Sequence, residues 1–137
     1  MTQSDGIFVG AKLMLFLGGS LLVIRRDHTP GITWPGYLDF PGGGREGDET
    51  AAECALRETR EEVGLIVPEQ ALIWRHEAWR NGRRNWFFAA HQDAGRESEV
   101  VFGDEGDGWS LMPPGDFLTR NDAIPHFQDE LRRYLEK

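Results

Sequence analysis

Residues 43–65 read GGREGDETAAECALRETREEVGL, and the way this stretch winds decides the fold around it. Short polar side chains at 48–50 can cap a first helical turn, apolar positions then recur at helical spacing as far as Val63, and Gly64 is the expected stop. At about 100° per residue, with Glu58 as zero, Glu61 falls near 300° and Glu62 near 40°. Three carboxylates therefore share one face. Ala52, Ala55, Leu56, Thr59 and Val63 form the core-facing stripe beside them, and the small Ala51 and Cys54 lie on the acidic face one to two turns earlier, which reads as space for a ligand to approach. Like charges three and four residues apart repel. Hard oxygen ligands without His or Cys among them suit Mg²⁺ or Mn²⁺, but on the triplet alone a solvated acidic face reads equally well.

The flanks read as strands and turns. Residues 7–24 are mostly apolar, but Lys12 and the Gly18-Gly19 pair interrupt them and no basic leader precedes them, so a hairpin of strands 8–17 and 21–26 is expected instead of a membrane span or signal. Residues 27–35 (DHTPGITWP) form a loop and 37–40 a short strand. Pro41-Gly42-Gly43-Gly44 then marks a close approach of main chain to something. Strands are expected at 71–80 and 85–92 across an Asn81-Gly82 turn, a polar loop at 93–97, and strands at 100–102 and 109–112 on either side of the acidic turn 103–108. Apolar residues at helical spacing from 124 to 135 predict a C-terminal amphipathic helix. No repeat or linker divides residues 1–137, so one domain is expected.

Composition narrows the function classes. The chain has 137 residues with 15 Lys and Arg against 23 Asp and Glu, a net charge of −8. Such a balance argues against binding duplex nucleic acid through its phosphates. Cys54 is the only cysteine, so no internal disulfide or multi-cysteine metal site exists, and a reducing cytoplasm is the natural setting.

The spacing around the acidic face is specific. Gly43, Glu49, Arg57, Glu58, Thr59, Glu61, Glu62, Gly64 and Leu65 resemble the Nudix box: Gly, five residues, Glu, seven residues, Arg-Glu, an apolar or Thr position, any residue, Glu-Glu, any residue, Gly and an aliphatic residue. The resemblance implies an α/β fold in which a mixed β-sheet is sandwiched between helices, and a Mg²⁺- or Mn²⁺-dependent hydrolase of the MutT-like kind. It implies that Glu58, Glu61 and Glu62 bind metal with the Gly42 carbonyl, and that Glu49 and Arg57 pair structurally. A further carboxylate comes from a later loop, Glu105 ahead of Asp104 and Asp107. The general base is then Glu61, Glu62 or Glu105. The implied reaction is water attack on the diphosphate linkage of NDP-X, a small nucleotide substrate, and family members are often homodimers.

Substrate contacts are less well encoded. Arg80, Arg83 and Arg84 flank the Asn81-Gly82 turn and are candidates for distal phosphates, and Arg25 and Arg26 end a strand with similar ambiguity. Of Trp34, Trp79, Trp86 and Trp109, one is expected to stack on substrate, and Trp34 is the choice. His28, His76, His91 and His126 lack ligand spacing and read as surface or capping residues. Two readings compete. Gly42-x-Gly44-x-x-Gly47 fits a dinucleotide fingerprint, but the triple-Glu face would repel a bare pyrophosphate. A sensor of the same fold that binds a nucleotide without turnover is the alternative from another class. Such proteins commonly lose box carboxylates, and here all are present.

Overall fold

The computed structural model describes residues 5–137. Its framework is one mixed sheet built on β1 (Gly10–Leu17). β1 pairs antiparallel with β2 (Ser20–Arg25) and parallel with β6 (Arg83–Gln92), from Gly10 opposite Asn85 to Leu17 opposite Gln92. β3 (Leu38–Asp39) lies outside β2, and β5 (Trp74–Arg80) outside β6. β4 (Gly42–Gly44) pairs with the start of β1, and β7 (Gly108–Met112) with β2.

Both faces of the sheet are covered, which explains why its central strands read as continuous apolar runs. Leu13, Leu15, Leu17, Leu22, Ile24, Phe88 and Ala90 point into one core with α1 (Ala51–Val63). Their sequence neighbours Met14, Phe16, Leu21, Val23, Phe87 and Ala89 point into the other, against α2 (Pro114–Thr119) and α3 (Pro125–Leu135). Period-two alternation thus sorts one run of residues between two cores. Among the described residues no helix is long and apolar enough to cross a membrane.

The local signals for α1 hold in detail. Thr50 accepts from the Glu53 N–H while the Glu53 carboxylate accepts from the Thr50 N–H, a complete capping box, and Gly64 closes the helix at φ 73°. Asp5 takes a further free amide, that of Ala51, at 2.7 Å. Asn81 (φ 54°) and Gly82 (φ 74°) both adopt positive φ, the two-residue turn that matches strand twist.

Several expectations need correction. Residues 100–102 are not a strand: the Val101 and Gly103 amides donate to the Val63 and Glu62 carbonyls at 2.9 and 2.8 Å, so the segment closes the C-terminal end of α1 instead of joining the sheet. Residues 94–99 form 3-10 turns, not loop, and α2 was not foreseen. The glycine run is itself a short strand. Ala51 and Cys54 leave no room for a ligand; both are fully buried, and the Cys54 thiol lies 3.4 Å from the Gly43 carbonyl, so these small side chains let β4 approach the helix.

Candidate active site

α1 and the loop packed on its C-terminal end bring the acidic residues together. Glu46, Glu58, Glu61, Glu62, Asp104 and Glu105 line one cavity of about 530 Å³ with the main chain of Gly42, Gly43 and Gly44. Gly103 allows the loop to pass this close, since a Cβ there would come within 2.6 Å of the Glu61 carbonyl. Asp104 and Glu105 therefore face α1. Asp107 does not; it turns away and lies 2.6 Å from His28 Nδ1.

Arg57 organises the triplet. Its guanidinium donates to Glu49, to the Gly44 carbonyl at 2.9 Å, to Glu58 Oε1 at 2.9 Å, and to both oxygens of Glu61 at 3.2 Å. Glu62 Oε1 instead accepts the Gly42 N–H at 2.7 Å. Burial pushes the Glu62 carboxyl up to about 7; Lys12 and the Gly42 amide pull against this rise, and Asp39 and Glu58 add to it. The Gly42 carbonyl meets Lys12 Nζ at 3.1 Å.

The donor set suits a hard divalent cation. It is all oxygen, and the Glu58 carboxylate leans into space that only a glycine leaves open: a Cβ on Gly43 would sit 2.5 Å from Glu58 Oε2. Among the described residues, no three acidic, His or Cys side chains already stand at ion-holding separations. Arg57 and the Gly42 amide hold one oxygen each of Glu58 and Glu62, while Oε2 of each is taken by no donor among the described residues.

A second cavity of about 760 Å³ adjoins the first, and Lys12, Arg26, Asp39 and Gly44 line both. Asp39 is buried and bracketed by Lys12 and Arg26, each at 3.0 Å. Of the aromatic candidates, Trp34 lines this cleft, beside Tyr37 and His126. Trp86 and Trp109 pack against a core, and Trp79 bonds Glu77 outside the cleft. Arg80 and Arg83 also line it. Arg84 does not: its Nε donates to Glu77 at 2.9 Å, so the neighbouring strand holds it back.

Sequence reasoning missed Asp39 and Phe127, both of which line the cleft, and passed over His126 as a surface or capping residue. His126 lies in the cleft wall, and its Nδ1 is buried without a hydrogen-bond partner among the described residues. One signal was available: Lys12 is a charge inside a strand whose neighbours are buried on both faces, a placement that demands a partner.

A family model described as the NUDIX domain matches residues 9–135. The chain belongs to the Nudix family. Among solved structures it is similar to a MutT protein from Methanosarcina mazei Go1, with 20% identity and a TM-score of 0.73 over 98% of this chain and 97% of that one. It is also similar to an Ap4A hydrolase from C. elegans, at 17% identity and TM-score 0.72 over 93% and 96% of the two chains. A Nudix hydrolase from M. smegmatis, RenU, aligns at 22% identity and TM-score 0.67 over 94% and 84%. These likenesses are of fold.

Proposed function

We propose that this chain is a divalent-metal-dependent pyrophosphohydrolase, one domain over residues 1–137, that cleaves the diphosphate linkage of a nucleoside diphosphate derivative, NDP-X, to nucleoside monophosphate and phosphoryl-X. The supporting observation is the junction of the two cavities, an acidic one built on α1 and a cleft with aromatic and basic walls, at Lys12, Arg26, Asp39 and Gly44.

Glu58, Glu61, Glu62, Glu105 and the Gly42 carbonyl are the residues that would hold Mg²⁺ or Mn²⁺. A bound ion supplies Lewis acidity that offsets the charge of the diphosphate. One carboxylate of the set, Glu61, Glu62 or Glu105, takes the proton of the attacking water. Lys12 and Arg26 stand where the two cavities meet, both paired to Asp39, so two cations against one carboxylate leave the junction with positive charge beside the diphosphate. Trp34 and Phe127 offer apolar ring surface to a nucleobase or to X. The lone buried thiol suits a reducing cytoplasm, and the homodimer common in the family is a matter for sedimentation analysis.

The test is a Mg²⁺-dependent hydrolysis screen over nucleoside triphosphates, nucleotide sugars, ADP-ribose, dinucleoside polyphosphates and capped RNA. Glu61→Gln or Glu62→Gln is expected to lower turnover about 10²- to 10³-fold in a folded protein. Turnover unchanged in both variants overturns the assignment, and tight nucleotide binding with no turnover across the panel favours a sensor.

A further inference from the structure

The charge of the larger cleft runs against that of the chain. The protein carries −8 overall, yet the ionised side chains lining this cleft are Lys12, Arg26, Arg80 and Arg83 against the single carboxylate of Asp39, which Lys12 and Arg26 already bracket. Arg80 and Arg83 remain. They face each other directly in the β5–β6 register, on either side of the Asn81-Gly82 turn, where like charges destabilise a strand pair. Neither side chain makes an ion pair or hydrogen bond among the described residues, whereas the adjacent Arg84 is held by Glu77 and Arg75 by Asp5. Asp39 is the only carboxylate among the lining residues, and His126 offers no anionic partner; burial, and after it the charge of Arg80, push its imidazole below the ordinary value. A pair of unanswered guanidiniums at the mouth of a cleft is a site for an oxyanion from outside the chain.

We propose that Arg80 and Arg83 clamp a phosphate that the substrate carries beyond the diphosphate linkage being cleaved, so that the enzyme prefers polyphosphate or phosphorylated X over a neutral sugar. This rests on the hydrolase reading above for its meaning, but the clamp itself is testable by binding.

Two measurements decide it on the full chain. Inorganic tripolyphosphate is titrated calorimetrically in EDTA into wild type, Arg80→Ala/Arg83→Ala and Arg80→Lys/Arg83→Lys, with thermal melts to verify folding. The alanine pair is expected to weaken binding at least about tenfold and the lysine pair to retain most of it, as loss of charge-assisted hydrogen bonds predicts. Separately, kcat/KM for ATP and for diadenosine tetraphosphate is divided by that for ADP-ribose. In the alanine pair that ratio is expected to fall at least about tenfold, in the ATP arm if a terminal phosphate is recognised and in the dinucleotide arm alone if an internal one is. Equal tripolyphosphate affinity in all three proteins, or an unchanged ratio in both arms, overturns the clamp. If no nucleotide is turned over, the hydrolase reading fails and the titration alone decides the clamp.

Discussion

Arg57 and Glu49 meet side on, Nε donating to Oε2 at 2.5 Å and Nη2 to Oε1 at 3.1 Å. The Arg57 hydrogen bonds hold the Glu49 carboxyl below its usual range against the opposing effect of burial. Because the same guanidinium reaches the Gly44 carbonyl and Glu58, the fork fixes the loop on the helix and aims a candidate metal ligand at once. Arg57→Lys keeps the charge but loses the planar fork. It is expected to cost about 1–3 kcal/mol of stability and to lower turnover by about 10- to 100-fold, measured by urea unfolding and steady-state kinetics. A lysine variant as stable and active as wild type would show that the fork organises nothing.

Neighbouring glycines separate folding from function. Gly42 has φ 140°, and a Cβ there would lie 2.2 Å from the Ala11 carbonyl oxygen and 2.6 Å from Lys12 Cα, both main chain that has nowhere to move. The obstacle at Gly43 is instead the free end of the Glu58 side chain. Gly42→Ala is therefore expected to lose more than about 3 kcal/mol or fail to fold. Gly43→Ala is expected to stay within about 1 kcal/mol of wild type while Mn²⁺ affinity, read by calorimetry, falls at least about tenfold. Unchanged Mn²⁺ binding in the second variant would remove Glu58 from the ligand set.

What was legible in the sequence was what local physics determines. The polar cap expected within 48–50, which the structure places at Thr50, the Gly64 stop, the Asn-Gly turn and the spacing of Glu58, Glu61 and Glu62 each need only a few consecutive residues, and each lies where it was expected. Residues 100–102 misled because a β-type apolar run carries no record of its hydrogen-bond partner; the carbonyls it serves, at Glu62 and Val63, are about forty positions away. Asp39 and His126 were out of reach for the same reason: one is recruited to Lys12 across 27 positions, and the other becomes a wall residue only when α3 packs on the sheet. Arg84 and Arg83 are adjacent in sequence, and only the strand pairing that presents Glu77 tells them apart.

The acidic turn offers a discrimination within a few residues. Glu105 faces the cavity of the box glutamates, whereas Asp107 is engaged with His28 and its amide with the Arg25 carbonyl. Glu105→Gln is expected to lower kcat at least about tenfold and to raise the Mg²⁺ concentration needed for half-maximal rate, while Asp107→Asn changes either by less than about threefold. Equal damage from the two substitutions would mean that the turn acts as a whole and that Glu105 has no special part.

Acid stability provides a prediction independent of catalysis. Asp122 accepts from Arg120 at 2.7 and 2.9 Å and from Arg25 at 2.8 Å, and its carbonyl accepts the Leu38 amide, so it ties the turn before α3 to the edge of the sheet. The Arg120 and Arg25 hydrogen bonds hold its carboxyl well below the ordinary 3.8. A depressed carboxylate stabilises the fold fully above its unfolded pKa, and that contribution is lost as pH falls below 3.8 toward the folded value. With 39% of the side chain exposed, solvent screening keeps the effect under about 1 kcal/mol. Calorimetric melts of wild type and Asp122→Asn should therefore differ most at neutral pH, with wild type higher, and converge between roughly pH 4 and 2 because only wild type has this bond to lose. Parallel curves over that window would show that the native pairing contributes nothing and that acid sensitivity arises elsewhere in the chain.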